Sequence, residues 1–408
     1  MIYINDLPEN LVSISKLFAD DTYIFSTVFD VNKSSEELNK DLENVKNWAF
    51  QWKMNFNPDP NKQATEVLFS HKKKSVTHPA LYFSDVPIVS APLQKHLGLI
   101  LDGKLTFAHH LNEKISKANK GIGLIKRLYY YLPRKSLLTI YKSFVRPHLN
   151  YCDVIYDQPH NDTFCRMIES VQYNAALAIT ASIKGSSRER LYQELGLESL
   201  SDRRWYRRLV YFFNIIKQKT PYYLYALLPD KQRSYDPARN NLLRNFVSHT
   251  DYYKNSFFPY CVNEWNKLGT GLRGSVSVSV FKKSLLAFIR PNNRPVFNII
   301  DPVGLKLLTR LRVNLSHLRD HKFRHNFLDT INPLCSCSIE IESNSHYLLR
   351  CPFFTCIRKT LLDNIVEIIG SVSNLSDDKL VELLLYGNVV YSTENNASIL
   401  KCTVVFLK

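Results

Sequence analysis

Two adjacent carboxylates, Asp20 and Asp21, stand between two apolar segments that favour β-strands. These segments run from 14 to 18 and from 23 to 25. The pattern predicts a strand–turn–strand with both carboxylates at an exposed tip and with buried arms. Two neighbouring carboxylates are costly to bury without a counter-ion, and their hard oxygens suit Mg²⁺. The pair therefore indicates either an ordinary solvated turn or a magnesium site.

A second candidate site lies near the C-terminus, where cysteines and one histidine crowd into a short window. Cys335, Cys337, His346 and Cys351 give the spacing C-x-C-x₈-H-x₄-C. Three thiolates and one imidazole complete a closed tetrahedral Zn²⁺ site of the structural type. Reduced cysteines that bind no metal are the alternative.

A third set of residues could bind phosphate. Between 111 and 150 the sequence has helical periodicity and nine basic side chains against one acid, Glu113. A second basic helix is expected over 202–218. Faces of this kind neutralise phosphates and release counterions, which makes binding salt-dependent. The basic residues that we predict to bind nucleic acid are Lys114, Lys117, Lys120, Lys126, Arg127, Arg134, Lys135, Lys142, Arg146, Arg203, Arg204 and Arg207.

The segment Phe18-Ala19-Asp20-Asp21 resembles the catalytic hairpin of reverse transcriptases. The preceding residues 4–8 resemble the corresponding segment of non-LTR (LINE-type) retrotransposons. The resemblance implies that Asp20 ligates the catalytic Mg²⁺ ions and that Asp21 supports the site. It also implies that Lys62 assists the leaving pyrophosphate, although a solvated loop lysine would look the same. The cysteine–histidine set resembles a motif that follows the polymerase in many such elements, which favours zinc.

The elements around these residues indicate an α+β fold class. A capping box of Ser34 and Glu37 predicts a helix over 35–53. By resemblance, residues 1–110 form a partial reverse-transcriptase palm of antiparallel strands, and residues 111–228 form a helical thumb and post-thumb region. Residues 229–295 are expected to be a linker or connector, and residues 296–408 a basic helical region with the zinc module.

Composition narrows the classes of protein. The 408 residues are 45% apolar, which allows packed cores in more than one domain. The net charge of +16 favours a polyanionic partner. No segment reaches the roughly 18 apolar residues that suggest a membrane span, and there is no signal-peptide pattern, so a membrane role is disfavoured. The eight cysteines fit a reducing compartment better than a disulfide framework. The localisation stays open, with an intracellular site such as the nucleus as one candidate.

A polymerase active site holds two metal ions that stabilise both the attacking and the leaving oxygen. The resemblance places a third carboxylate on a strand far upstream of the hairpin, and Asp6 is too close to Asp20 to replace it. We therefore expect a truncated RNA-directed DNA polymerase of a non-LTR element, inactive by itself, with an RNA template and a DNA primer or RNA–DNA hybrid as partners. A non-catalytic nucleic-acid-binding protein and a degenerate reading frame are the alternatives. The oligomeric state stays open.

Overall fold

The computed structural model describes residues 4–19, 21–56, 64–72, 76–232, 241–289 and 301–408. The chain divides into two compact units, Met1–Glu113 and Lys114–Lys408. The first unit combines small sheets with one long helix, and the second is helical. This mixture of helices and small sheets is compatible with the predicted α+β class.

The strands of the first unit are short and pair in twos. Among the described residues, β1 pairs with β2, β4 with β5 and β7 with β8, all antiparallel, while β3 and β6 pair in parallel. The strands are β1 Ile14–Phe18, β2 Asp21–Phe25, β3 Thr65–Glu66, β4 Tyr82–Phe83, β5 Val86–Pro87, β6 Val89–Ser90, β7 Leu93–His96 and β8 Leu99–Asp102.

Helix α1, Val31–Gln51, supplies one side of the core of this unit. It begins earlier than predicted, because the Asp30 carboxylate accepts hydrogen bonds from the backbone N–H groups of Asn32 and Lys33 at 2.9 and 3.4 Å. This cap satisfies the free N–H groups one turn before Ser34, so the predicted capping box does not form. Side chains from the second half of α1 pack with Leu7 and Phe83.

The second unit is built from helices. Two π-helical turns, Tyr141–Val145 and His346–Arg350, interrupt the α-helical pattern. The α-helices are α2 Ala108–Leu128, α3 Arg134–Ile140, α4 Arg146–Asn150, α5 Asp153–Tyr156, α6 Asp162–Thr180, α7 Arg188–Leu195, α8 Leu200–Ile216, α9 Tyr222–Tyr225, α10 Asp251–Lys254, α11 Phe257–Lys267, α12 Thr270–Arg273, α13 Val278–Ile289, α14 Pro302–Arg312, α15 Arg319–Arg324, α16 Thr355–Ile369, α17 Asp377–Tyr386 and α18 Thr393–Leu407. Helix α2 starts in the first unit and continues into the second.

Apolar clusters of buried side chains hold the helices together, and two of them can be described in full. One joins α8, α11 and α13, where the rings of Phe213 and Phe281 stack with centroids 4.3 Å apart. The other joins α14 to α18, and its helices approach closely at Gly304, where an added Cβ would lie 1.9 Å from Val404 Cγ1. A glycine is required at that position because any side chain would overlap the neighbouring helix.

In the part of the chain that the structure describes, no helix has both the length and the apolar character to span a lipid bilayer.

Candidate metal and nucleic-acid sites

The hairpin of β1 and β2 places Asp21 beside its turn, where Asp21 pairs with Phe18. Ala19 adopts a left-handed conformation with φ 55°, as the first loop residue of a tight hairpin often does. Asp21 begins β2 and is exposed. Asp20, the expected metal ligand, and Lys62 lie outside the described residues.

The arms of the hairpin are half-exposed, and the expectation of buried arms was wrong. Leu17 and Ile24 lie on one face of the two strands and pack against the α1 core. Ile14, Phe18 and Phe25 lie on the other face and are 56%, 61% and 47% exposed. Among the described residues, β1 and β2 pair only with each other and form a two-stranded ribbon. Helix α1 covers one face of this ribbon, so the side chains of the other face are exposed.

Side chains of α1 fix the segment that leads into the hairpin. The fully buried Asp41 carboxylate accepts the backbone N–H groups of Val12 and Ser13, each at 2.8 Å. The Asp6 carboxylate accepts a hydrogen bond from Trp48 Nε1 at 2.9 Å. Asp6 therefore serves to anchor the chain to α1. These contacts set the start of β1 and, through the pairing register, the position of Asp21.

Tyr23 is a residue at this site that the sequence analysis missed. Its hydroxyl donates to Asp21 Oδ2 at 3.3 Å, and its ring meets His96 edge-on with centroids 3.9 Å apart. Burial and the Asp21 carboxylate raise the pKa of Tyr23, so this hydroxyl keeps its proton and can donate it. The two-residue period of a strand, which puts residues 21 and 23 on one face, was the available signal.

Exposed cations follow one side of α2. Lys117, Lys120, Lys126 and Arg127 are exposed, opposite the buried side chains of the same helix. Lys135 and Lys142 are exposed further along the chain. We call these six side chains the cationic face. Lys114 lies apart from it, since its side chain is buried and its Nζ is 5.5 Å from the centre of the Tyr151 ring.

Five of the predicted arginines take part in ion pairs inside the second unit, whereas Arg127 belongs to the cationic face. Most of these pairs join segments that are distant in sequence, and Arg146 and Arg203 share one carboxylate, Glu198. The pairs are Arg134–Glu194 at 2.7 Å, Arg146–Glu198 at 3.6 Å, Arg203–Glu198 at 2.6 Å, Arg204–Asp157 at 2.9 Å and Arg207–Asp153 at 2.6 Å. Arg204 is almost fully buried and also donates to the Leu149 carbonyl at 2.8 Å. We therefore leave Arg134, Arg204 and Arg207 out of the surface proposed below.

The structure brings the four cysteine and histidine side chains together. The possible ligand atoms of Cys335, Cys337, His346 and Cys351 all lie within 4.8 Å of one another. The Sγ atoms of Cys335 and Cys351 are 3.7 Å apart, and Cys337 Sγ is 3.2 Å from His346 Nε2. Zn–S bonds of about 2.3 Å in a tetrahedron place two sulfurs about 3.8 Å apart. The geometry and the donor set therefore fit a zinc ion.

A tight turn and a π-helical turn position these ligands. Leu334 and Ile341 form an antiparallel bridge, and the Cys335 carbonyl accepts the Ser338 N–H at 2.8 Å. His346 begins the second π-helical turn and Cys351 directly follows it. Between them, Tyr347 and Leu348 are buried in the C-terminal core. The ligands are thus tied to the core on one side and to a small hairpin on the other.

The surroundings shift the thiol groups of the cluster in opposite directions. Burial raises the pKa of Cys335 to about 12. Burial also acts to raise the pKa of Cys337, but hydrogen bonds from the Ile339 N–H and from the Cys335 and Cys351 thiols lower that pKa overall. The buried His346 Nδ1 makes no hydrogen bond among the described residues, although Glu340 Oε2 lies 3.4 Å away. A histidine that binds a metal through one ring nitrogen commonly donates a hydrogen bond from the other ring N–H to a carboxylate. Glu340 is therefore placed to orient the ring.

The chain is similar to a curated protein of Drosophila melanogaster, "Probable RNA-directed DNA polymerase from transposon X-element". The two are 25% identical over 212 residues, a match that covers 49% of this chain and 22% of that protein. The chain thus spans about a fifth of the length of this relative. No family model and no solved structure matches the chain. The similarity supports a relation to the reverse transcriptases of transposable elements, the family that the Asp-Asp hairpin and the cysteine–histidine spacing resemble.

Proposed function

We propose that this chain is a nucleic-acid-binding part of an RNA-directed DNA polymerase of a non-LTR retrotransposon. The observation that carries the proposal is the similarity to the polymerase of the X-element transposon. The cationic face supports it independently. In this proposal residues 1–110 are a partial palm, residues 111–228 the thumb and post-thumb region, residues 229–295 a connector, and residues 296–408 the basic region with the zinc module.

The cationic face suits a nucleic-acid backbone. Within the described chain, Lys120, Lys126, Arg127 and Lys135 form no ion pair, so their charge is available to phosphates. Tyr130 and Tyr131 lie just beyond the end of α2 and are 68% and 81% exposed. Aromatic rings among unpaired cations are typical of surfaces that bind nucleic acid. The net charge of +16 supplies the long-range attraction.

In the intact polymerase, Asp20 and Asp21 would ligate Mg²⁺, which stabilises charge on the attacking and leaving oxygens when bound. The exposed Asp21 carboxylate is of the right type for this ion. Tyr23 orients one of its oxygens by donating a hydrogen bond. Lys62 is the proposed partner of the leaving pyrophosphate. Zn²⁺ at Cys335, Cys337, His346 and Cys351 would have a structural part, because four protein ligands leave no open position.

The test is binding of a fluorescent RNA–DNA hybrid to the full chain over a series of salt concentrations. We expect the logarithm of the affinity to fall with the logarithm of the salt concentration, by about 0.9 per phosphate contacted on B-form DNA. Lys120→Glu, Lys126→Glu and Arg127→Glu combined should weaken binding by at least tenfold and flatten this slope, alike for unrelated sequences, because phosphate contacts carry no sequence information.

The matched control combines Lys359→Glu, Lys379→Glu and Lys401→Glu, which reverses three exposed lysines of the C-terminal helices. It changes the net charge equally but leaves α2 intact. If the control weakens binding as much as the α2 variant, net charge alone accounts for the affinity and the cationic face has no special part.

A binding protein without catalysis is the second candidate function, favoured by the cationic face itself. Primer extension on an RNA template with Mg²⁺ tests whether this chain catalyses synthesis by itself. Extension that Asp20→Asn abolishes would show a polymerase and contradict the expectation that the chain is inactive alone, whereas binding without extension fits both a polymerase part and the second candidate.

A further inference from the structure

A second group of cations surrounds a single carboxylate where the first π-helical turn, α4 and α8 meet. Arg203 Nη1 lies 2.6 Å from Glu198 Oε1, and Arg146 Nη1 lies 3.6 Å from the same oxygen. Lys142 stands one helical turn before Arg146 and is exposed. Glu198 is therefore paired with two guanidinium groups, and a third cation lies one helical turn from one of them.

The next acids do not restore the balance of charge. Asp153 is bound by Arg207 at 2.6 Å, so that pair is neutral by itself. Glu169 is buried, accepts hydrogen bonds from the Tyr192 hydroxyl at 2.6 Å and from the Leu200 N–H at 3.0 Å, and forms no ion pair with this group among the described residues. Lys142, Arg146, Arg203 and Glu198 by themselves carry a net charge of +2.

Hydrogen-bond donors in this group lack acceptors. The Nε atoms of Arg146 and Arg203 are buried and form no hydrogen bond among the described residues. Partial burial and the guanidinium groups of Arg146 and Arg203 lower the pKa of Lys142. Burial and Arg203 also lower the pKa of Arg146. The cations repel each other, and an added anion would relieve that repulsion.

A structural ion-pair network in the same unit looks different. Glu194 also faces two arginines, Arg134 and Arg312, but these are saturated by further acceptors. Arg134 donates to Thr309 Oγ1 and Arg312 to the Leu385 carbonyl, each at 2.6 Å. The Glu198 group has unmatched buried donors, the Nε atoms of Arg146 and Arg203, and no atom of Arg134 or Arg312 is of this kind.

The Glu198 group is continuous with the cationic face. Lys142 belongs to both. His148 lies on the same short helix as Arg146, and its pKa is lowered first by burial and then by the nearby charges of Lys114 and Lys117. Cations from α2 and α4 therefore adjoin each other. An extended polyanion bound along α2 would meet this group next.

We propose that Lys142, Arg146 and Arg203 form a phosphate site for the nucleic-acid backbone, with Glu198 holding the two guanidinium groups ready while no phosphate is bound. This inference rests on the proposed function, because it takes nucleic acid as the partner. The phosphate enters beside Glu198 and accepts hydrogen bonds from the three cationic side chains. The carboxylate fixes the arginines but also opposes the incoming negative charge.

This dual part of Glu198 gives a test with a distinctive sign. Glu198→Gln keeps the size of the side chain and removes its charge, so the affinity of the full chain for an RNA–DNA hybrid at low salt should rise about fourfold. Lys142→Gln should weaken binding about fourfold and lower the salt slope by about one. Lys379→Gln, which removes one exposed lysine elsewhere, should change neither quantity beyond the small effect of net charge.

The outcomes are separable. If Glu198→Gln binds no more tightly while its urea midpoint stays near wild type, or if Lys142→Gln equals Lys379→Gln, the phosphate site is refuted. Should Glu198→Gln fail to fold, the exposed Lys142→Gln decides alone. If the wild-type chain does not bind the hybrid, the proposed function fails together with this inference. If binding depends on Lys120, Lys126 and Arg127 but not on Lys142, only the inference fails.

Discussion

Glu194 joins three helices of the second unit through its carboxylate. Arg134 of α3 and Arg312 of α14 both donate to Oε1, at 2.7 and 2.6 Å. The side chains of the three residues are between 8% and 11% exposed. Removing one partner of such a buried network leaves uncompensated charge, which costs more than the network contributes when intact.

We therefore expect Glu194→Gln to lower the free energy of unfolding by about 3–5 kcal/mol, because two buried guanidinium groups lose their counter-charge. Urea denaturation followed by circular dichroism measures this change. Glu189→Gln, an exposed position on the same helix, is the control and should stay within about 0.5 kcal/mol of wild type. Equal stability of the two variants would contradict the assignment.

The contribution of Glu194 to stability should depend on pH. Burial by itself raises the pKa of Glu194, but Arg312 and Arg134 outweigh it and lower the pKa below its ordinary value. A carboxyl group with a lowered pKa in the folded state contributes stability above its unfolded pKa, about 4.3, and that stability is lost as the pH falls further. The difference in stability between wild type and Glu194→Gln should accordingly be constant near neutral pH and shrink below about pH 4.3.

Neighbouring residues show what the sequence could not provide. Arg134 and Lys135 are adjacent, basic and alike in any helical pattern, yet Arg134 binds Glu194 in the interior while Lys135 is exposed. The difference between them depends on the Glu194 carboxylate, which lies 60 positions from Arg134 in the sequence. Local pattern carries no information on such a pair, so the predicted basic face included internal arginines.

At the scale of elements, short-range patterns were more informative. The apolar, β-favouring segments on either side of Asp20 and Asp21 predicted the β1–β2 hairpin, because a tight turn depends mainly on residues close to it in sequence. The pattern could not show which face α1 would cover. The start of α1 was misplaced because two capping signals lay four residues apart, and the structure uses Asp30. Local chemistry thus predicts that an element exists better than where it begins.

The cysteine–histidine turn is an element whose order should depend on metal. We expect about one equivalent of zinc per chain and, on chelation, loss of structure around 333–351, because binding and folding are coupled in such sites. Elemental analysis and hydrogen exchange of the full chain measure the two effects. The backbone amides of buried residues such as Leu348 should keep part of their protection from hydrogen exchange, because these residues belong to the C-terminal core.

Cys335→Ser should lower the zinc content of protein purified under reducing conditions. Cys356→Ser is the matched control, since this exposed thiol lies in the same module but outside the cluster. Zinc content unchanged by Cys335→Ser, or no zinc in the wild type, would remove the site.

For the whole molecule, the net charge of +16 fits two kinds of polyanion, a nucleic acid and an anionic membrane surface. A helix that binds at a membrane surface needs a free apolar face opposite its cations. In α2 that face is in use, because Ala118, Ile122 and Ile125 are 0%, 4% and 0% exposed. The helix can therefore offer its charges but cannot insert its apolar side without unfolding the unit.

We accordingly expect the full chain to bind an RNA–DNA hybrid more tightly than vesicles that contain anionic phosphatidylserine, at equal salt. Both interactions weaken as salt rises, so salt dependence alone does not separate them. The comparison uses the same protein in a competition experiment, in which hybrid should release the chain from vesicles and neutral vesicles should not bind it. Binding to anionic vesicles that the hybrid fails to reverse would overturn the nucleic-acid assignment, because the charge would then serve a lipid surface. Release by the hybrid that is lost when Lys120, Lys126 and Arg127 are reversed to glutamate would locate the competition on α2.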